Sequence, residues 1–396
     1  MTSLMWPVRH HRAMRDYRQG ELELVEQHGR VTLGSVSRAF EPARLTQARI
    51  LSELTKAELA EMAGISPAAV GQYEAGAMSP RTELIAALAR HLDVPVEFFA
   101  AGRPLGRLDA TQAHFRSLRA TRAKDRLKAA THAEQLWELV YALEKRMRLP
   151  DVNIPPVQDG TSPQQAAAEL RAAWGIGAGP FPHLVATMES NGLVVSLIPM
   201  TNEAVSRVSA YSTDALGRPL VIVTPERAQS VYRYRFTCAH ELGHLVLHNS
   251  PLPGDRLQER EADKFAAELL TPSLEIEPLL PRTMRLAALD KLSRTWGVSV
   301  ESLVRRMGEL RVVSDATVRR AYQRLNSLKE HRRDEPVTSY RGEVPSLLRD
   351  AIALAEQVGL SRGALASELC WSTRHLNSVL GTEDPRPVLT VISSGA

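Results

Sequence analysis

The feature that most constrains this chain is the run R-F-T-C-A-H-E-L-G-H-L-V-L-H at residues 235–248. Its first two histidines are four positions apart, and positions four apart lie on one face of an α-helix. His240 and His244 can therefore each aim a ring nitrogen at one ion, and this donor type suits Zn²⁺. Glu241 is the candidate general base for a water that such a metal activates. The run predicts a metal-binding helix over about residues 229–248.

A second predicted helix, residues 256–270, supplies the rest of the site. A catalytic zinc has three protein ligands and one open position, so we assign Glu259 as the third ligand. Asp263 shares its helix face. We expect Asp263 to accept the far N–H of one histidine, which fixes the tautomer of that ring. Glu261 is predicted to point elsewhere, into solvent.

Three nearby residues have alternative interpretations. His248 continues the spacing but drifts about 40° from the line of the first two rings, so a helix-end position near the cleft is favoured over a ligand role. Cys238 is interpreted as a small core residue. Gly243 lies on an apolar stripe and permits close approach of a partner element. The alternative for the whole motif is a structural helix, although chance gives H-E-x-x-H on the order of a few times in a hundred such chains.

Residues 235–248 and 259–272 resemble the ImmA/IrrE family of bacterial zinc metallopeptidases, whose patterns are R-F-T-x-A-H-E-x-G-H and E-x-E-A-x-x-F-A-A-x-L-L-x-P. The resemblance extends over about residues 164–312. It implies a gluzincin-like domain with a thermolysin-type centre, built from the three ligands and the base assigned above. Zinc is the implied ion, and manganese is the alternative.

Members of this family cleave a partner repressor, so the resemblance also implies a protein substrate. In such peptidases the substrate lies along a sheet edge above the metal. Strands predicted at 205–212 and 220–223 form a hairpin, and its edge is the candidate place for strand addition by a substrate. Arg207 or Tyr211 is a candidate for holding the substrate or its oxyanion.

A different pattern occupies residues 54–76, where two short helices are joined by a tight turn. Thr55 and Ser66 are candidate N-caps, and Pro67 suits the first helical position. Gly64 supplies the left-handed residue of the turn. The pattern predicts a helix-turn-helix.

Residues 44–99 resemble the Cro/cI-type (XRE) helix-turn-helix family, in which the second helix enters the major groove of double-stranded DNA. The resemblance implies four base-facing residues and one phosphate contact, namely Pro67, Ala68, Ala69 and Gln72, and Lys56. Of the base-facing residues, only Gln72 has a strong hydrogen-bonding side chain, which suits adenine. The resemblance also implies an ion pair between Arg49 and Glu74.

The charge of this region argues against strong DNA binding by the helix-turn-helix alone. Residues 44–100 contain five Lys and Arg against seven Asp and Glu, a net charge of −2, and DNA affinity rests largely on phosphate neutralisation. Residues 101–128 contain eight Lys and Arg against two Asp, a net charge of +6. This basic segment, or a homodimer, is the candidate source of the missing charge. The alternatives are a solvated helix face and a helix-turn-helix that binds only protein.

Residues 359–376 repeat the spacing of the helix-turn-helix, but Cys370 stands where the first copy has Gly64. A side chain makes the left-handed turn less favourable. A packing or sensing role is therefore favoured over nucleic-acid binding for this element.

Composition limits the class of protein. A hydrophobic fraction of 44% and a charged fraction of 24% exclude global disorder. Two cysteines exclude a disulfide scaffold, and no apolar run approaches the ~20 residues that span a bilayer. We expect a soluble cytoplasmic protein with no membrane partner.

The predicted fold class is mainly α with a small β-sheet. It combines an all-α helix-turn-helix domain, an α+β gluzincin-like metallopeptidase domain and a helical C-terminal region. The predicted divisions are a lead at 1–43, the helix-turn-helix at 44–100, a basic helix and Pro-rich linker at 101–162, the metallopeptidase domain at 163–312 and the C-terminal region at 313–396.

The predicted function is a DNA-binding transcriptional regulator whose zinc endopeptidase domain hydrolyses a peptide bond in a repressor or in the chain itself. One alternative is a regulator whose metallopeptidase-like domain is a non-proteolytic sensor. A second is a peptidase whose helix-turn-helix only recruits a like-folded repressor. The intact Glu241 favours active chemistry over the sensor.

Overall fold

The computed structural model describes residues 32–108, 114–117, 123–158, 160–198, 208–213, 216–224, 227–248, 255–327 and 337–380. Their contacts form two compact units. One contains the described residues up to 107 together with 361–372, and the other contains those from 108 to 360 and from 373 onward. The predicted lead up to residue 31 and the tail after Gly381 lie outside the described residues. No helix among the described residues is long and apolar enough to cross a membrane.

The first unit is made of short helices with defined ends. They are α1 (Leu33–Arg38), α2 (Pro42–Leu51), α3 (Lys56–Ala63), α4 (Pro67–Glu74) and α5 (Thr82–His91). The predicted caps are present, because the side chains of Thr55 and Ser66 accept backbone N–H bonds at the starts of α3 and α4. Gly64 has the predicted left-handed conformation, with φ of 65°. The core consists of fully buried apolar side chains, including Leu45, Leu59, Val70, Ile85, Leu88 and Phe99.

The second unit contains a four-stranded sheet with the order β1-β3-β4-β2. The strands are β1 (His114–Ser117), β2 (Val194–Leu197), β3 (Val208–Thr213) and β4 (Leu220–Val223). β3 pairs antiparallel with β1 and β4, and β2 pairs parallel with β4. The strand predicted at 220–223 is confirmed, and it is buried along its whole length. The strand predicted at 205–212 is found as β3, with residues 205–207 outside the described residues.

Two predictions about this sheet are wrong. The helix predicted from about residue 110 begins at Ala123 instead, as α6 (Ala123–Glu144), and residues 114–117 form a strand. The predicted hairpin also has no free edge, because β1 pairs along β3 and β2 pairs along β4. Pairing with a distant strand outweighs weak local preference in short segments. A substrate strand therefore has no place on the hairpin while β1 is paired.

Helices surround this sheet and supply most of the core. They are α7 (Pro163–Ala173), α8 (Leu184–Ser190), α9 (Val231–Leu247), α10 (Arg256–Leu270), α11 (Ser273–Ile276), α12 (Leu286–Trp296), α13 (Val300–Glu309), α14 (Asp315–Ser327) and α15 (Leu347–Gln357). The helices predicted at 229–248 and 256–270 are confirmed as α9 and α10. α9 lies at the centre, in contact with α7, α8, α10, β3 and β4. Every turn of α9 therefore has a packed face, which holds its polar residues in fixed positions.

A buried carboxylate joins residues beyond 313 to this core. Glu343 is 2% exposed and accepts backbone N–H bonds from Leu184 at 3.0 Å and Val185 at 3.3 Å, at the start of α8. Arg235 of α9 donates to the same carboxylate. A carboxylate that accepts N–H bonds at a helix N-terminus and also pairs with a guanidinium makes charge-assisted contacts, which are stronger than neutral hydrogen bonds. This part of the predicted C-terminal region thus packs with α8 and α9.

The predicted repeat near the C-terminus is present as α16 (Arg362–Glu368) and α17 (Thr373–Val379). Cys370 adopts the left-handed conformation, with φ of 52°, at a cost of ~1–2 kcal/mol for a residue with a side chain. His375 of α17 lies 3.0 Å from Gln135 of α6. Burial lowers the pKa of His375 to about 4, so this ring is neutral near pH 7. These contacts favour the packing role over nucleic-acid binding.

Glu189 is a second buried carboxyl, and it caps α15. Its Oε2 accepts backbone N–H bonds from Ser346 at 3.0 Å and Leu347 at 3.2 Å. Burial raises the pKa of Glu189 to about 7, against the opposing effect of these N–H bonds. A folded pKa above the ordinary 4.5 means that the stabilising contribution is complete below about pH 4.5 and is lost as the pH rises to about 7.

We expect Glu189→Gln to weaken this pH dependence, because the amide still accepts the N–H bonds but cannot ionise. The variant should exceed wild type in free energy of unfolding at about pH 8 by up to ~3 kcal/mol, and the gain should shrink towards about pH 5. Urea unfolding of the full chain at several pH values measures it. The exposed Glu275 gives the matched control Glu275→Gln. If Glu189→Gln raised the free energy of unfolding equally at every pH, the raised pKa of Glu189 would be contradicted.

Candidate metal centre and nucleic-acid interface

Helix α9 brings two imidazole rings together at its buried face. His240 is 1% exposed and His244 is 2% exposed. Their Nε2 atoms are 3.1 Å apart, and the rings meet edge to face at 78°. The two lone-pair nitrogens that were predicted from the four-residue spacing thus converge on one point.

Glu259 of α10 completes the cluster. Its Oε2 lies 3.5 Å from Nε2 of His240, and its Oε1 lies 3.7 Å from Nε2 of His244. The three donor atoms all lie within 4.8 Å of one another. Two imidazoles and one carboxylate form a donor set typical of catalytic zinc, so these residues fit the ion that the sequence implies. The Glu259 side chain is 30% exposed, so it is the member of the cluster that reaches the protein surface.

Asp263 lies where the sequence placed it, behind the first ring. Its Oδ1 is 2.9 Å from Nδ1 of His240, and its Oδ2 is 3.2 Å from a guanidinium nitrogen of Arg305. A carboxylate only accepts hydrogen bonds, so Nδ1 of His240 carries the proton. Nε2 of His240 is then the lone-pair nitrogen, and it is the atom that faces Glu259.

The second ring has a different support, which the sequence analysis did not predict. Nδ1 of His244 lies 3.0 Å from Nδ1 of His248, and Nε2 of His248 lies 3.1 Å from Oε2 of Glu261. The expectation that Glu261 points into solvent is wrong, because the start of α10 directs its carboxylate to the end of α9. His248 caps α9, as its predicted helix-end position requires. Burial lowers the pKa of His248, and the bond to Glu261 opposes this effect.

Two other residues of α9 are fully buried. Glu241, the candidate base, is fully buried next to the first ligand. Cys238 is also fully buried, and burial raises the pKa of its thiol well above the ordinary value. A thiol with a raised pKa is a poor nucleophile, so Cys238 has the packing role that the sequence indicated.

Sequence reasoning missed Arg305, which is separated from Asp263 by more than forty positions and carries no local motif. Arg305 also pairs with Glu309, at 3.0 Å, on its own helix α13. The neighbouring carboxylates raise its pKa, against the opposing effect of burial. Only the packing of α13 near α10 brings this guanidinium to the centre. Of the candidate substrate-holding residues, Arg207 lies outside the described residues, and the same is true of the Tyr211 side chain, although its backbone lies in β3.

The candidate nucleic-acid surface lies on α4. Pro67, Ala68 and Gln72 are exposed, and Ala69 is half-buried. The predicted ion pair beneath them is present, with Nε of Arg49 2.6 Å from Oε1 of Glu74.

The basic residues near α4 are partly engaged within the unit. Lys56 is exposed, but its Nζ lies 3.3 Å from Oε2 of Glu74. Arg44 is 1% exposed and donates to Gln47 at 3.0 Å and to the carbonyl of Pro104 at 2.8 Å. Arg44 therefore offers no charge to a phosphate, and the charge of Lys56 is shared. Fewer positive side chains are therefore available to a phosphate than the five Lys and Arg in the sequence of this region.

Two family sequence models match the chain. The model of the IrrE N-terminal-like domain, a peptidase family, matches residues 188–307, and a helix-turn-helix model matches residues 45–99. A search of curated proteins gave no match. The chain thus joins an XRE-type helix-turn-helix domain to an IrrE/ImmA-like domain, which confirms the predicted fusion. The mainly helical fold class with a small sheet is confirmed as well.

Close contact of α9 with α10 holds the centre together. A Cβ atom built at Gly243 would lie 3.0 Å from Cδ1 of Phe265 and 3.2 Å from Cα of Ala262. We expect Gly243→Val to lower the free energy of unfolding by ~1–3 kcal/mol through overpacking. Gly363 of α16 is the matched helical control, since only the Ser361 hydroxyl lies near its Cβ position, at 3.8 Å. Thermal unfolding of Gly243→Val and Gly363→Val measures the difference, and equal losses would contradict it.

Proposed function

We propose that this protein is a DNA-binding transcriptional regulator whose second domain is a zinc-dependent endopeptidase. The observation that carries the proposal is the cluster of His240, His244 and Glu259, together with the buried Glu241 that follows His240 in the chain. Its donor set suits zinc, which in catalytic sites would keep one position open for a reactant, and the Glu259 side chain is 30% exposed. The helix-turn-helix domain supports an operator on double-stranded DNA as a partner.

The reaction that these residues suit is hydrolysis of a peptide bond. A zinc ion held by His240, His244 and Glu259 would supply Lewis acidity for ionising a water and polarising the scissile carbonyl. Glu241 takes a proton from the water on its carboxylate and returns it to the leaving amine. Asp263 fixes the tautomer of His240, so that Nε2 keeps its lone pair toward the ion. A repressor or the chain itself is the proposed substrate.

The alternative is a regulator whose peptidase-like domain senses without cleaving. One observation favours it. β1 of this chain pairs along β3 and also contacts α9, so the β3 edge of the predicted hairpin is already paired within the chain. A peptide that binds by strand addition needs a free edge. The intact Glu241 favours the peptidase.

Metal analysis and one substitution test the peptidase. We expect about one zinc per chain in the wild type, and strong loss in His240→Ala because one of three ligands is removed. Glu241→Gln should keep the zinc but lose ~10²–10⁴-fold in cleavage rate, since the amide cannot accept a proton. Elemental analysis, which also detects manganese, gives the first result. Mass spectrometry of new protein N-termini, in the purified chain and in added cell extract, gives the second.

Each outcome of that experiment separates the candidates. Zinc in the wild type with cleavage abolished in Glu241→Gln supports the peptidase. Zinc without any cleavage supports the sensor. Absence of metal from the wild type removes both the peptidase and its mechanism. An unchanged cleavage rate in Glu241→Gln removes the role of Glu241.

The salt dependence of binding tests the nucleic-acid interface. Gln72→Ala should lose ~1–3 kcal/mol of preference for the operator over unrelated DNA, with an unchanged salt slope, because a base contact is removed. Lys56→Gln should weaken binding to all sequences and reduce the slope of log K against log salt by about 1. The operator is first selected from genomic fragments with the wild type, and titrations at several salt concentrations follow. Gln164→Ala, at an exposed glutamine of α7, is the control. If Gln72→Ala reduced the salt slope but kept the preference for the operator, Gln72 would not be a base contact.

A further inference from the structure

We propose that His248 and Glu261 act as a positioning pair that sets the tautomer and orientation of His244 as a metal ligand. The proposal rests on the metal site of the proposed function and assigns a role to two residues outside its ligands and base. The pair connects His244 to the carboxylate of Glu261 through two hydrogen bonds in series, with His248 between them.

The geometry of the chain is direct. Nδ1 of His244 lies 3.0 Å from Nδ1 of His248, and Nε2 of His248 lies 3.1 Å from Oε2 of Glu261. The side chains of both histidines are buried, at 2% and 5% exposed, and Glu261 is 34% exposed. The chain thus runs from the buried cluster to the protein surface.

Hydrogen-bonding rules fix the direction of each bond. An ionised carboxylate only accepts, so Nε2 of His248 carries a proton and donates to Glu261. In a neutral imidazole the other nitrogen is then an acceptor, so Nδ1 of His248 accepts from Nδ1 of His244. Nε2 of His244 is left with its lone pair, and this nitrogen lies 3.7 Å from Oε1 of Glu259. The pair therefore presents His244 in the tautomer that binds a metal.

The same arrangement argues against His248 as a ligand. Its two ring nitrogens are each within hydrogen-bonding distance of another side chain, one of His244 and one of Glu261. The candidate ligand group contains the other two histidines and Glu259, without His248. His248 thus acts through His244, as Asp263 acts through His240.

The two supports are chemically different. Asp263 contacts its ring directly and also pairs with Arg305. Glu261 acts through an intervening imidazole. Loss of a hydrogen-bonding partner behind a ligating histidine lowers metal affinity by ~10–100-fold. The His244 side of the centre should therefore lose affinity when His248 is removed, even though no ligand has been changed.

Zinc affinity of the full chain, measured by competition with a chromophoric chelator, tests the proposal. We expect His248→Ala to bind zinc ~10–100-fold more weakly than the wild type. His248→Asn should recover part of the loss, because its side-chain oxygen can accept from Nδ1 of His244. Glu261→Gln should give a loss smaller than that of His248→Ala, because an amide oxygen is a weaker acceptor than a carboxylate.

Matched controls and a spectrum separate positioning from packing and from ligation. His91→Ala and Glu275→Gln change exposed residues of the same types and should leave affinity unchanged. Thermal unfolding of the metal-free variants checks the fold. Cobalt-loaded His248→Asn should keep the visible absorption bands of the wild type, since the ligands are the same.

Three results would overturn the proposal. Equal zinc affinity in the wild type and His248→Ala removes the positioning role, while the metal site itself stands. An Asn variant no better than the Ala variant indicates that only packing was lost. Altered cobalt bands in His248→Asn indicate that His248 is a ligand. A wild type that binds no zinc is distinct from these, because it removes the proposed function as well.

Discussion

The close approach of α9 and α10 is the constraint on which the candidate centre rests. The rings of His240 and His244 belong to one helix and Glu259 to the next, so the cluster exists only where the two axes come close. Gly243 permits this, because any side chain there would meet Phe265 and Ala262 at 3.0–3.2 Å. A residue without a side chain therefore permits the helix contact that brings the candidate metal donors together.

Buried hydrogen bonds and an ion pair hold the N-terminal part of α9 in place. Arg235, five residues before the first ligand, donates to the carbonyls of Phe181 at 2.5 Å and Gly297 at 2.9 Å and also pairs with Glu343. An arginine has five donors in a fixed plane, so one side chain can join three distant segments. Removing one partner of a buried ion pair costs several kcal/mol, about 3–5. The start of the ligand-bearing helix is thus anchored by one segment before the peptidase-family match, one within it and one after it.

The helix-turn-helix domain shows how a count of charges can mislead. Arg44 and Arg49 add to the positive total, yet the first is buried against Gln47 and the second pairs with Glu74. These bonds stabilise the domain and remove charge from the surface that would meet phosphates. Recognition by α4 then depends on a few exposed side chains, with Gln72 the strongest hydrogen-bonding group among the proposed base contacts. Additional charge from the basic segment or from a second copy fits this picture.

Local pattern alone predicted most of the helices and the candidate donor residues of this protein. The caps at Thr55 and Ser66, the bounds of α10 and the position of Asp263 on the helix face of Glu259 all follow from spacings of three or four residues, which a helix converts directly into proximity. Tertiary structure decided the rest. Residues 114–117 became a strand because β3 offered a partner, and Glu261 turned to His248 because the end of α9 meets the start of α10. Arg305 and Glu343 reached their partners only through folding, since contacts between distant segments leave no periodic signal in the sequence.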